Sequence, residues 1–167
     1  VNGLLFQENF ISDDEEVSLV SFINQFKKDN PKSVANYGSN NYGSIYFGER
    51  YKKEKFIFPE QLLGLSNKLI HANLITELPF GIAINEYKKG QKIGPHIDKD
   101  ISGPIVTILS LGSISTMVFK KKNEEDIILD LTRKSIIQIK DEIRYEWTHE
   151  ILPVPSLRYS IIFRSLC

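Results

Sequence analysis

A single cysteine, Cys167, stands at the last position, which excludes an internal disulfide framework and a cysteine-rich zinc site. An excess of either charge is missing too. With 21 Lys and Arg against 21 Asp and Glu, no affinity for polyanions arises from bulk charge, although a local basic patch stays open. No apolar run approaches the roughly 18 residues of a membrane span. The start, Val1-Asn2-Gly3-Leu4-Leu5-Phe6, has neither the basic region nor the apolar length of a secretion signal. The missing initiator Met points to a processed or truncated chain. These absences predict an intracellular protein, cytoplasmic or nuclear, monomeric and without a membrane partner. At 167 residues, 41% of them hydrophobic, the chain is long enough for one well-buried domain and too short for two ordinary ones.

What is present changes texture part-way along. Ser12 with Glu15 has capping-box spacing ahead of Val17, Val20, Phe22, Ile23 and Phe26, predicting a helix that ends at Asn30-Pro31. A second helix is expected from Pro59 to about Ala72. Between them, the Gly-, Asn- and Tyr-rich segment from Ser33 to Gly48 is either a β-hairpin on the surface or a binding lid with flat stacking faces. From Gly81 onward, short β-rich runs separated by Gly, Pro, Asn and Lys predict an antiparallel sandwich or barrel. The expected class is α+β: a helical front with its lid over 1–80, packed on a β core over 81–166.

Three side chains stand out for chemistry. In extended chain, His96 and Asp98 of His96-Ile97-Asp98 point the same way, and a distant His149 supplies a second imidazole. Two imidazoles and one carboxylate on one face of an octahedron suit non-haem Fe(II); zinc takes the same ligand types. His71, inside the second predicted helix, is an ordinary packed or surface residue. On the run Arg158-Tyr159-Ser160-Ile161-Ile162-Phe163-Arg164, alternation places Arg158, Ser160, Ile162 and Arg164 on one face. Two inward arginines on an apolar strand need anions, and a dicarboxylate answers that need; two solvent-facing strand ends are the alternative. The arginine Cα atoms of a straight strand lie ~20 Å apart, so curvature and side-chain length must converge them.

Together these residues, with Asn85-x-Tyr87, Ile93-Gly94-Pro95, Ser110-Leu111-Gly112-Ser113, Arg133-Lys134-Ser135 and Arg144-Tyr145-Glu146-Trp147-Thr148, resemble the AlkB family of Fe(II)/2-oxoglutarate dioxygenases from about Gly81 to Leu166. The resemblance implies a double-stranded β-helix, or jelly-roll, core with buttressing helices and a nucleotide-recognition lid. It implies that His96, Asp98 and His149 hold iron and act in catalysis, with O₂ as co-reactant and ascorbate as the reductant in vitro. It implies that Arg158 and Tyr87 meet the distal carboxylate of 2-oxoglutarate, with Arg164 and Asn85 at its chelating end. Ser160 and Ile162 stand where the family often has Asn and Thr, so Ser160 is a shorter candidate contact. The implied activity is demethylation or hydroxylation of alkylated bases in single-stranded or locally opened DNA or RNA, tRNA included. Formaldehyde, succinate and CO₂ would be released. A protein side-chain hydroxylase or demethylase and a non-catalytic binding module are the alternatives.

Substrate residues carry a thinner argument. Asp100 follows the triad and would favour a cationic methylated base, or it is an exposed loop acid beside Lys99. Tyr37, Tyr46 and Phe47 are candidates for stacking on the base, and Trp147 either lines the pocket or packs in the core. Phosphate contacts are expected from Arg50, Lys52, Lys53 and Lys55 or from Lys120-Lys121-Lys122, each of which also reads as a solvated turn.

Overall fold

Along β11 (Arg158–Ser165) the side chains alternate between two worlds, and that alternation organises the molecule. Tyr159, Ile161 and Phe163 join a core beneath two helices, whereas Ile162 joins a second core between two sheets. The computed structural model describes residues 1–48 and 57–167. The predicted phosphate contacts Arg50, Lys52, Lys53 and Lys55 lie outside the described residues.

β11 is central in an antiparallel sheet that also holds β1 (Leu4–Gln7), β2 (Ala35–Asn36), β3 (Gly43–Gly48), β4 (Gly81–Tyr87), β6 (Ile105–Leu111) and β9 (Ile136–Ile139). Among the described residues its order is β1-β9-β6-β11-β4-β3-β2. A smaller sheet runs β5-β10-β7-β8, formed by β5 (Ile93–His96), β10 (Thr148–Ile151), β7 (Ser115–Lys120) and β8 (Ile127–Leu131). The two antiparallel sheets enclose Val106, Ile108 and Ile162 from one side and Met117, Phe119 and Ile151 from the other, the jelly-roll arrangement.

Helices cover the opposite face of the large sheet. In α1 (Asp13–Asp29) the capping box forms as its spacing predicts, Ser12 Oγ accepting from Glu15 N and Ser12 N donating to Glu15 Oε1, both at 3.1 Å. Leu19 and Ile23 are the buried pair, an i, i+4 stripe; Val17 points to solvent, 65% exposed. From α2 (Glu60–His71), Leu62, Leu65 and Leu69 reach the same core. The short α3 (Asp141–Tyr145) precedes β10.

The division into a helical front and a β core at residue 80 needs correcting. β1, β2 and β3 all belong to the large sheet, β1 pairing antiparallel with β9 from Leu4↔Ile139 to Gln7↔Ile136. A strand so short carries too few residues for alternation to declare it; its partner, distant in sequence, makes it a strand.

Candidate active site

A cavity of about 440 Å³ opens between the sheets. Its floor comes from β11 and its neighbours, and its mouth lies between the 37–44 hairpin and the 93–102 segment. The four alternating residues of β11, Arg158, Ser160, Ile162 and Arg164, all line it. Cross-strand register extends Ser160 into a polar row, Ser110 on one side and Asn85 then Ser44 on the other.

At one end of the cavity, His96, Asp98 and His149 each offer a ligand atom, and these atoms lie within 4.8 Å of one another. The two sheet segments force this meeting, because His149 on β10 is the direct register partner of His96 on β5. Asp98 Oδ1 lies 3.1 Å from His96 Nε2 and 3.6 Å from His149 Nε2. Donors about 2.1 Å from one ion lie about 3–4 Å apart, so the spacing of the carboxylate to each imidazole suits a shared metal. His96 Nδ1 lies 2.8 Å from the Gly94 carbonyl, a contact that puts a proton on Nδ1, so in the neutral ring Nε2 is the atom left to take a metal.

Electrostatics set the two imidazoles apart. Burial drives the His149 pKa down to about 4, so its imidazole is neutral at physiological pH. For His96, burial is outweighed by the hydrogen bond to Asp98 and the Gly94 carbonyl, and its pKa rises. Burial would also raise Asp98, but the His96 hydrogen bond and the charge of Arg164, joined in acid by that of protonated His149, hold it well below the usual carboxylate range. Asp98 Oδ2 accepts from Arg164 Nη1 at 3.2 Å, so Arg164 braces the carboxylate from behind.

Arg158 is the other unusual group. It is 1% exposed, its Nη2 donates to Ser110 Oγ at 3.0 Å, and its guanidinium lies 5.0 Å from the centre of the Tyr87 ring. Its Nε and Nη1 are buried with no hydrogen-bond partner. Burial weighs against its charge, opposed by Tyr87. A buried guanidinium with spare donors on a cavity wall fits a carboxylate ligand. Above Arg158, Tyr87 stacks on Tyr42 (centroids 5.7 Å) and Tyr42 on Tyr37 (4.9 Å), so one aromatic column runs from the buried arginine to the half-exposed Tyr37.

Residues 8–159 match the family model of the 2OG-Fe(II) oxygenase superfamily. The chain belongs to that superfamily. As a dioxygenase of this kind the enzyme uses Fe(II), 2-oxoglutarate and O₂. The oxygenase is AlkB-like. It is 31% identical over 165 residues to the tRNA (carboxymethyluridine(34)-5-O)-methyltransferase ALKBH8 of Mus musculus, and 29% over 158 residues to the protein of that name from Xenopus tropicalis. Those alignments cover 90% of this chain but only 24% and 25% of the relatives, so the chain spans about a quarter of their length. An uncharacterised protein, L905 of Acanthamoeba polyphaga mimivirus, is 30% identical over 161 residues, covering 92% of this chain and 74% of the viral one. In fold, the oxygenase superposes on OsALKBH1 with a TM-score of 0.76 at 18% identity, covering 98% of both chains. It superposes on a Pseudomonas putida prolyl-4-hydroxylase with a TM-score of 0.68 at 13% identity, covering 99% of this chain and 94% of the other.

The oxygenase's candidate substrate residues divide. Tyr37 lines the cavity mouth. Phe47 does not: it is 0% exposed, on the helix side of β3, 5.1 Å from Phe26. One step along the strand flips the face, so Phe47 is core. Phe47→Ala is expected to cost about 3–5 kcal/mol of folding stability, measured by denaturant unfolding; unchanged stability would return Phe47 to the surface. Tyr46 faces the space between the sheets but packs its phenol over Gly81, where a Cβ would lie 1.9 Å from the Tyr46 hydroxyl, and it is not part of the cavity wall. Trp147 is buried in the inter-sheet core, 3.4 Å from Glu142 Oε1 through its indole N–H, away from the cavity. Asp100 is exposed on a 3-10 turn (Asp100–Ser102) and does not line the cavity. Lys120 pairs with Asp126 and Glu150, and Lys121 with Glu142 and Glu146, so acids already meet that cluster.

Sequence reasoning gave no role to Tyr42, Ser110 and Arg144. Ser110 carried a signal, one of two hydroxyls, with Thr107, in the otherwise apolar run Ile105–Leu111. Tyr42 was one of several tyrosines in the same segment, and only the fold selects it. The hairpin tip is also fixed in place: Tyr42 N donates to Lys92 O (3.2 Å), Lys92 N to Asn40 O (3.1 Å), Gly90 N to Val154 O (2.8 Å) and Val154 N to Gln91 O (3.0 Å).

Proposed function

We propose that this oxygenase hydroxylates an alkyl carbon on a nucleobase of single-stranded or locally opened nucleic acid, with RNA the favoured substrate. His96, Asp98 and His149 hold Fe(II). Arg158, Tyr87 and Ser110 take the distal carboxylate of 2-oxoglutarate, and Arg164, Asn85 and Ser160 lie toward its chelating end. When bound, the iron and cosubstrate supply the oxidation, and a hydroxylated N-methyl group is then lost as formaldehyde. The protein's own residues ligate, orient and keep water away.

The observation that carries the substrate class is the aromatic column ending at Tyr37, a flat face at the mouth of the cavity. Stacking on aromatic side chains is a base-binding device that tolerates base identity. The tRNA-modifying relatives support RNA. Beside the column, Lys88, Lys89 and Lys92 are exposed on the turn bonded to the hairpin tip, and Lys99 stands on the rim; none makes an ion pair among the described residues. They are the phosphate contacts this reading needs. Asp100, from an exposed position, contributes at most about 1 kcal/mol to a preference for cationic bases.

The test is mass spectrometry of methylated single-stranded DNA, RNA, tRNA and methylated or proline-containing peptides after incubation with Fe(II), 2-oxoglutarate and ascorbate. Base oxidation or formaldehyde release from nucleic acid is the expected result. Turnover of the peptides alone would replace this reading with a protein hydroxylase. A Lys89→Glu, Lys92→Glu double variant is expected to weaken nucleic-acid binding at low salt and to lessen the dependence of log Kd on log salt by about 2; an unchanged slope would remove these lysines from the phosphate path.

A further inference from the structure

We propose that Arg144 is a positioning residue for the metal, fastening the loop that carries Asp98 to the arm that carries His149. The inference rests on the ligand assignment above. Arg144 is 0% exposed, and all three of its guanidinium nitrogens donate to backbone carbonyls of one loop. Nε reaches Gly103 O (3.0 Å), Nη1 reaches Asp98 O (2.8 Å) and Nη2 reaches Lys99 O (2.9 Å). The carbonyls converge because the 3-10 turn Asp100–Ser102 curls the chain and Gly103, at φ +86°, turns it back.

The choice of acceptor matters. No carboxylate meets Arg144 among the described residues, so the clamp is made of neutral dipoles. At Asp98 it takes the main-chain oxygen and leaves the carboxylate to face His96, His149 and Arg164. From Arg144 the chain finishes α3 and enters β10, where His149 sits. One planar fork therefore holds the loop ligand against the strand ligand. Lysine offers a single point charge and cannot span three separated carbonyls.

The experiment titrates Mn(II) alone into wild type, Arg144→Lys, Arg144→Met and Asp98→Ala, following free Mn(II) by electron paramagnetic resonance. Amide exchange of each protein is read by mass spectrometry. Arg144→Lys and Arg144→Met are expected to bind Mn(II) about 10–100-fold more weakly, with faster exchange over 99–103 and unchanged exchange in β4 and β11. Wild-type Mn(II) affinity in Arg144→Lys, alongside lost affinity in Asp98→Ala, would overturn the clamp and leave the ligand assignment standing. Retained affinity in Asp98→Ala would instead overturn the ligand assignment. Should the Arg144 variants not fold, exchange in the wild type decides. A clamp makes residues 99–103 and α3 open together and makes Mn(II) slow both. Loop amides that exchange far faster than α3 and ignore Mn(II) would end the proposal.

Discussion

Asp98→Ala, His96→Ala and His149→Ala are each expected to lose succinate production by at least about a hundredfold, since even an outer partner of a metal ligand is worth 10–100-fold. Asp98 has the widest consequences, because its carboxylate contacts both imidazoles through Oδ1 and Arg164 through Oδ2. Its removal leaves the guanidinium of Arg164 buried without a counter-charge, and breaking such a pair costs about 3–5 kcal/mol. The Asp98 variant should therefore be both inactive and destabilised. His96, half-buried and at the mouth, should lose activity with a much smaller change in melting temperature. Succinate release and thermal unfolding, measured on the same preparations, check both halves. Wild-type succinate release by any one variant would take that residue out of the site.

Arg158→Met should separate stability from function in the opposite sense. Arg158 is a buried cation whose Nε and Nη1 have no hydrogen-bond partner in the protein. Replacing it with an apolar side chain of similar length removes a desolvation cost and, against it, the Ser110 hydrogen bond and the Tyr87 contact, so folding stability should change little. The same change removes the planar fork that meets a carboxylate, so the 2-oxoglutarate requirement should rise by a hundredfold or more. Arg158→Lys keeps the charge and loses the fork, and should fall between. Thermal unfolding with Mn(II), with and without 2-oxoglutarate, reads both effects: the cosubstrate should raise the wild-type melting temperature and leave Arg158→Met unmoved. A variant that keeps its 2-oxoglutarate response would make Arg158 a scaffold residue.

How far the sequence alone reaches follows from what each pattern encodes. Period-two alternation separates the faces of a strand, so the grouping of Arg158, Ser160, Ile162 and Arg164 was readable, and all four line one cavity. Alternation does not say which face is which. In the hairpin, Tyr46 and Phe47 are neighbours with opposite fates, and only the pairing of Phe47 with Ile82 over the helices settles that Phe47 is core. The capping box was readable because it is local; β1 was not, because its partner lies at Ile136–Ile139. Lysine clusters gave the poorest guidance. Whether a cation is free depends on acids brought to it by folding, and Lys120 and Lys121 found theirs.

The way the hairpin tip is fastened bears on how this enzyme can change. Its ties to the 88–92 turn, and the ties of that turn to Val154, run chiefly between main-chain atoms. Such bonds survive most side-chain replacements, proline excepted. Ser39, Asn40, Lys88 and Lys89 are therefore open to substitution without loosening the frame that carries Tyr42, and they sit apart from the metal and dicarboxylate residues. The rim is a surface on which new substrate preferences can be selected, by evolution or in a library, while the oxidation chemistry behind it is inherited intact.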